Sequence, residues 1–559
     1  MKKIQNGKEH IGRLVLAIIS ILFIGIVITM EYHREGVAER VDLYFQVKDE
    51  TIQTWEKDGV FYLFLPSFAN EEEVVLTSYS PEFYILAQEK KISHGENLQG
   101  VIKEKELACQ FIKTGKKFEL CIMQSKNIPA IFVDTQSGGL EELKADKEFV
   151  VTGTVCAINE DGTWQEKLAL SSIGGRGNTS FAGYEKKPFA ITLKEDASIL
   201  GLPKGRKYAL ISNASDPSLV RNDMVRRMEM ALGLKYSHAG KFVDLYVNGE
   251  YEGNYYLIDS IEIGYERIAI NNMEILMNLI YNSRNYESVS NYVTSKVKAK
   301  ELQVKLSNYT GGYLLEREYV QRFEHEYEDI QSAFITENEE HFVVKNPRYC
   351  SKEQIMYISS YVDEAEAAML SKDGYHPKTQ KYYTQYIDLD SFVKKYLVEE
   401  VSKNYDAGVT SSYFYKDSDL NGGKLCAAPG WDYDMSLGNY VEWMEEFSAD
   451  PTGISKLAHH TYASSWYDEL YQKEDFYKLV KEYYWESVEP FLHKLLTERI
   501  DSYEEMLEES AKMNEIRWKE ELEKNQYFIT REQTFKELKE FISARKEFLD
   551  DAWKYQEIQ

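Results

Sequence analysis

Two short stretches near the middle of the chain concentrate residues suited to moving a charged group. KNYDAGVTSSYFYKD (Lys403 to Asp417) puts Asp406 in a loop after a helical stretch, and APGWDYDMSLGN (Ala428 to Asn439) follows with Asp432 and Asp434 at i and i+2. Phosphoryl transfer needs such a set: one carboxylate to orient and deprotonate a hydroxyl, and others to hold Mg²⁺. In a strictly extended strand Asp432 and Asp434 point to opposite sides, so both serve one metal only where the loop bends. The plainer alternative is that these acids cap turns around a buried Trp431.

Upstream, GGRGNTS (Gly174 to Ser180) forms a glycine-rich turn between strands. Glycine lets the backbone come close to a phosphate, and Arg176 adds charge. The stretch matches neither the Walker A pattern nor GxGxxG, and a tight hairpin without a ligand is the alternative. The pair Lys186-Lys187 begins the next strand, where alternation turns one side chain inward. A buried lysine needs an anion, whereas a surface lysine on a strand needs nothing.

These residues must be positioned by elements that the pattern of the chain suggests. Residues 42 to 165 show period-2 runs such as VFYLFLP (Val60 to Pro66), FELCIM (Phe118 to Met123) and EFVVTGTVCAI (Glu148 to Ile158), which read as a small β-rich domain. Lys187 to Leu193 alternates as a strand. Ser218 to Leu234 has helical spacing, with Ser218 as N-cap and Gly233 near the end. Asn248-Gly249 between two alternating runs signals a type I′ hairpin. From about residue 350 the pattern turns helical, with Asp388 to Lys403 and the acidic, aromatic stretch Glu469 to Trp553, while Met273 to Lys305 reads as a polar insertion. An N-lobe of strands followed by a helical C-lobe is the expectation.

Several blocks then occur in one order: GRGNTSF, KKPFAITL, LGLPKGRKYALISNASDPSLVRN, FVDLYVNGEYEGNYYLID, GGYLLE, KNYDAG with SSYFYKD, and PGWDYDMSLGN, together spanning about Ile173 to Tyr440. In this the chain resembles the CotH kinase family, named for a spore-coat protein and related to the protein-kinase-like fold. The resemblance implies an α+β, bilobal, atypical protein-kinase-like fold over residues 166–559, with an N-lobe at about 166–270 and a helical C-lobe at about 306–559. It also implies transfer of the γ-phosphoryl of ATP to protein Ser or Thr hydroxyls with Mg²⁺ or Mn²⁺. On the family pattern Asp406 is the catalytic-loop aspartate, and Asp432 is the metal ligand with Asp434 as a second. Lys187 steadies the ATP phosphates, and Arg176, Gly177 and Asn178 belong to the hairpin that covers them. Asp259 lies in the hinge, Tyr256 to Glu262, that meets adenine, and Glu229 on the Ser218 helix is the acid that pairs the lysine. At the place of the second metal-binding Asn stands Ser411. This departure motivates the alternative of a pseudokinase or surface scaffold that keeps the fold to bind an envelope partner.

Composition bounds these readings. With 43% hydrophobic and 28% charged residues and only 11 Pro, the chain is globular and long enough for two or three units. A formal net charge of -26 excludes broad attraction to nucleic acid. The five cysteines form no CxxC pair, which leaves no zinc or redox motif, and Cys109 and Cys121 read as free thiols. No GxSxG or HExxH supports a hydrolase, and His459-His460 sits in a polar, loop-like stretch. Leu14 to Met30 is an uncharged run, about 26 Å long as a helix. It is preceded by Lys2, Lys3, Lys8 and Arg13 and lacks a small-x-small cleavage site, so residues 1–41 read as a cytoplasmic stub and transmembrane anchor. The bulk of the chain is then extracellular, with ATP and a protein of the cell or spore surface as partners.

Overall fold

The computed structural model describes residues 43–554 apart from 78–83, 88–89, 102–105, 112–114, 116, 137–138, 282–288, 303–305, 327–331, 440–445 and 525–529. No helix among the described residues is long and apolar enough to cross a membrane, and the expected anchor, Leu14 to Met30, lies outside them.

The leading β-rich unit holds two sheets. One has three strands centred on Tyr44–Val47, and the other has six, with Val60–Leu65 running parallel to Lys117–Gln124. Phe45, Leu63, Phe64 and Leu120 form its buried core, which runs on into Phe132, Cys156, Tyr246 and Tyr251 of the next unit. The two units therefore share one apolar interface. All five cysteines are free thiols.

That next unit is a closed seven-stranded barrel: β1 (Ala130–Thr135), β2 (Val150–Ile158), β3 (Leu168–Gly175), β4 (Phe189–Ala197), β5 (Gly205–Ile211), β6 (Lys241–Val247) and β7 (Glu250–Asp259), in the order β1-β2-β3-β4-β5-β7-β6. Parallel pairing of β1 with β6, from Ala130↔Asp244 to Val133↔Val247, closes it. The sequence assigns β1 and β2 to the leading unit ending at 165. They belong instead to the N-lobe, because only they satisfy the open edges that β3 and β6 would otherwise present. Ile131, Ile173, Ile191, Leu210, Val243 and Leu257 fill the interior. The β6–β7 hairpin turns at Asn248 and Gly249, with φ of 51° and 85°, as the Asn-Gly signal predicts.

Helix α1 (Arg221–Leu232) follows β5. Its C-terminus is where the sequence places it, with Gly233 left-handed at φ 66°. The start differs. Ser218 does not cap it; Val220 is the N-cap, without a side-chain cap bond, and Asp216 upstream accepts the amide of Arg221 (3.0 Å) through Oδ2 and that of Ser218 (3.0 Å) through Oδ1.

The C-lobe is less purely helical than its sequence suggests. A seven-stranded sheet joins β8 (Asn291–Val293), β9 (Val297–Lys300), β10 (Tyr313–Glu318), β11 (Ala333–Ile335), β12 (His341–Asn346), β13 (Ser412–Lys416) and β14 (Leu425–Cys426), in the order β8-β9-β11-β12-β10-β13-β14. The stretch read as an insertion thus supplies two strands at one end of the sheet. On it pack α2 (Val320–Glu326), α3 (Lys352–Leu370) and α4 (Leu389–Ser402), while α5 (Ile500–Arg517) lies against barrel strand β7 and α6 (Arg531–Ala552) packs on α5. Helix α4 runs as expected from an Asp388 N-cap, whose Oδ1 accepts the Ser391 amide at 2.9 Å, to a left-handed Lys403.

The C-terminal end of α4 matters because the Asp406 loop begins there. Arg545 on α6 seals it, donating to Glu400 O (2.6 Å), Glu400 Oε1 (3.0 Å) and Val401 O (3.4 Å), and also to Pro451 O (3.1 Å) and Gly453 O (2.7 Å). Both partners of the ion pair are fully enclosed. Removing one partner of a buried pair leaves an uncompensated charge. Arg545→Met is therefore expected to lower unfolding free energy by about 3–5 kcal/mol in urea titration, and a loss near zero would show that the seal is incidental.

Candidate active site

The loop after α4 is held from several sides. Asn404 donates to Glu399 Oε2 at 2.9 Å, Tyr405 O faces His459 Nε2 at 2.8 Å, and the amides of Val409 and Thr410 return to Asp406 O at 3.0 and 3.2 Å. Gly408 O accepts the Ser464 amide at 2.8 Å as well as the guanidinium of Arg317 from β10. The Asp406 side chain is thereby aimed by a backbone with little freedom, and the residue is half-buried.

The second acidic loop does bend. Asp432 lies at φ 70°, a conformation that side-chain-bearing residues adopt only under surrounding constraint. The constraint is the next residue: the Tyr433 amide donates to Asn222 Oδ1 of α1 at 3.0 Å, and its hydroxyl donates to Glu229 Oε1. The bend lets both acids face one place. Ser411 donates to Asp432 Oδ2 at 3.3 Å, and Ser215, in the loop before α1, donates to Asp434 Oδ2.

The three carboxylates perturb one another. Burial pushes Asp406 well above the usual carboxylate range, Asp432 and Asp434 push it further, and Arg322 of α2 pulls it back. Burial likewise raises Asp434 to about 7, with Asp432 adding to the effect and the Ser215 bond opposing it. Acids that perturb one another in this way are candidates for a functional site. From the barrel side, Arg176 stacks over Trp431 at 5.3 Å, and the charges of Asp432 and Asp434 act on its guanidinium. Gly177 is left-handed at φ 76°, and a Cβ there would strike Ser180, so the turn needs its glycine.

Other expected residues stand elsewhere. Lys187 is half-buried and donates to Phe181 O at 2.8 Å, within the glycine-rich hairpin. Its neighbour Lys186 is the enclosed one, donating to Ser212 O (2.7 Å) and Asn254 O (2.6 Å), and burial lowers its pKa to about 7. Both lysines precede β4, which starts at Phe189, so alternation did not apply to them. Asn178 accepts from Lys147 at 2.6 Å. Glu229 does not pair with either lysine. It is sealed against Tyr433, and burial raises its pKa over the opposing pull of Arg226 and Lys395. Asp259 is mostly enclosed and engaged by Arg226 (3.3 Å) and His238 (3.2 Å), which hold it below its usual range although burial opposes them. It braces the end of β7 against α1.

Among the described residues, no three His, Cys, Asp or Glu side chains form a ready metal cage. The donor set still suits Mg²⁺, which takes one or two carboxylates and completes its shell with water and substrate phosphates. Asp432 and Asp434, two like charges forced together with Asp434 near pH 7, are an arrangement that a divalent cation relieves. Sequence reasoning missed Arg322, Ser215, Tyr433 and Arg317. Tyr433 carried a signal, since it lies between the two acids, whereas the others come from distant segments.

A family model described as CotH kinase protein matches residues 173–549. No curated protein matches the chain. The match begins in β3, takes in the glycine-rich hairpin, both acidic loops and most of α6, and so covers every element just described around the site. The chain belongs to the CotH kinase protein family.

Proposed function

We propose that this CotH-like kinase transfers the γ-phosphoryl group of ATP to Ser or Thr hydroxyls of extracytoplasmic proteins while anchored in the cell membrane through Leu14 to Met30. The observation that carries the reading is the joining of the two acidic loops: Ser411, in the Asp406 loop, donates to Asp432 Oδ2 at 3.3 Å, and Arg176 of the glycine-rich turn stacks over the adjacent Trp431 at 5.3 Å. In the transfer, a bond forms between the substrate hydroxyl oxygen and the γ-phosphorus, and the bond from that phosphorus to the β–γ bridging oxygen breaks. The electron pair leaves on ADP and the hydroxyl proton passes to Asp406 in its ionised form, whose raised proton affinity suits it to accept one. The half-buried Asp406 orients the hydroxyl, and Arg176 with the Gly177 turn covers the phosphates. Asp432 and Asp434, with Ser411 beside them, would hold the divalent cation, whose charge neutralises the phosphates. The anchor rests on the apolar run and the basic residues before it, and the extracellular placement on the same charge bias.

Incubating the full-length chain with γ-labelled ATP and Mg²⁺ tests the reading, with nucleotide binding followed by thermal shift. Asp406→Asn should cut incorporation by about 10²–10⁴-fold with little change in melting temperature. Undiminished incorporation would remove Asp406 from the chemistry, and absence of nucleotide binding would favour a scaffold.

A pH dependence of metal binding also follows. Because Asp434 is raised to about 7, it holds a proton below that pH and must release it to bind a cation. Mg²⁺ affinity should therefore climb with pH up to about 7, by roughly tenfold per unit, and level off above. Calorimetry in buffers of different ionisation enthalpy would detect the released proton, and a flat profile over this range would exclude Asp434 as a ligand.

A further inference from the structure

Residues 176–188 leave the barrel ladder between Gly175, which ends β3, and Phe189, its partner at the start of β4. This hairpin carries Arg176, Gly177 and both lysines, and bonds other than strand pairing must hold it. At its base the Arg176 amide donates to Pro188 O at 3.1 Å. Two bonds stay within it, from the Ala182 amide to Asn178 O (2.9 Å) and from Lys187 Nζ to Phe181 O (2.8 Å). The returning leg, Glu185 to Lys187, reaches outside. Tyr255 of β7 donates to Lys187 O at 2.8 Å, and Lys186 Nζ donates to Ser212 O and Asn254 O.

The remaining amides of that leg are met from near the end of the chain. Glu521, in the short helix Lys519–Lys524, accepts the Glu185 amide through Oε1 and the Lys186 amide through Oε2 at 2.9 Å. One carboxylate, 8% exposed, thus holds two successive N–H groups. Bonds to an ionised acceptor are the stronger kind, and both amides would lose their partner without it. Burial lowers the Lys186 pKa, and the charge of Glu521 is foremost among those that oppose the effect. The carboxylate is itself well placed, because Arg517 Nε donates to Tyr251 O (3.1 Å) and Trp518 Nε1 to Glu252 O (2.9 Å), which ties the chain just before the short helix to β7. The closing bond between Arg176 and Pro188 couples the returning leg to the glycine-rich turn.

We propose that Glu521 is a positioning residue for nucleotide binding: by holding the amides of Glu185 and Lys186 it fixes the returning leg of the hairpin, and through it the turn at Arg176 and Gly177 that meets the ATP phosphates. This rests on the kinase reading above.

The test compares the full-length wild type with Glu521→Ala and with Glu521→Gln, which keeps the packing but offers one acceptor oxygen where the carboxylate offers two. Affinities for Mg-ATP and for adenosine are measured beside the unliganded melting temperature. The turn meets phosphates and not base or sugar, so Glu521→Ala should bind Mg-ATP about tenfold more weakly, the worth of one such bond, and adenosine within about threefold of wild type. Glu521→Gln should fall between Ala and wild type. A role confined to stability would lower the melting temperature and leave the ratio of the two affinities unchanged, and that result, or equal weakening of both ligands, would overturn the proposal. A second arm follows amide hydrogen exchange over residues 176–188 without nucleotide. Faster exchange in Glu521→Ala, confined to this segment, is expected, and unchanged exchange would reject the role of Glu521 whatever the chain binds. Faster exchange in a protein whose wild type binds no Mg-ATP would instead bring down the kinase reading, and the proposal with it.

Discussion

Three carboxylates forced into one poorly solvated cleft repel one another, and much of the surrounding structure exists to keep them there. Each of the two acidic loops is fastened by bonds to parts of the chain far away in sequence. Arg317 and His459 grip the Asp406 loop, Asn222 and Glu229 grip Tyr433 between the other two acids, and Ser215 meets Asp434 from the opposite lobe. The repulsion is the reason for the site. It favours positive charge nearby, and Arg176 from the barrel side and Arg322 of α2 both act on these acids.

The same constraint explains why helix α1 is so polar where it is most enclosed. Asp223, Arg226 and Glu229 are all enclosed, and each has a partner outside the helix: Asp223 accepts from Tyr256 and Tyr503, Arg226 donates to His238 O and Asp259, and Glu229 accepts from Tyr433. An apolar helix would pack as well but would leave register undetermined. Here the hydrogen bonds tie the end of β7, the barrel and the Asp432 loop to one rod, so that the bend at Asp432 is set by the helix position.

Much of this was legible in the sequence because it is local. The limits of α4, the glycine that ends α1, the Asn-Gly turn and the three acids all follow from residue type and short spacing. What escaped depends on closure over long distances. Nothing near Ala130 announces that it pairs with Asp244, so the barrel's true beginning was hidden. Whether Lys186 or Lys187 turns inward is decided by carbonyls of Ser212 and Asn254, not by strand alternation. Glu229 was rightly placed on the helix beside the site but wrongly paired, because a tyrosine hydroxyl from the C-lobe reaches it first. Arg322 and Arg545 sit in ordinary helical contexts, and only the fold shows what they touch.

The contact between α5 and the barrel has a bearing on how the protein comes into being. Strand β7 and its neighbours carry Asp244, Glu252, Asn254 and Lys186, all enclosed. Their partners include Ser510, Asn514, Arg517, Trp518 and Glu521 near the end of the chain. As the polypeptide emerges from the ribosome, the N-lobe is complete in sequence long before these groups exist. Until then its polar wall faces water and its lysine stays hydrated, so the barrel can form but cannot be sealed. Sealing of the barrel's polar wall accordingly waits until residues 510–521 have been made, long after the barrel's own strands.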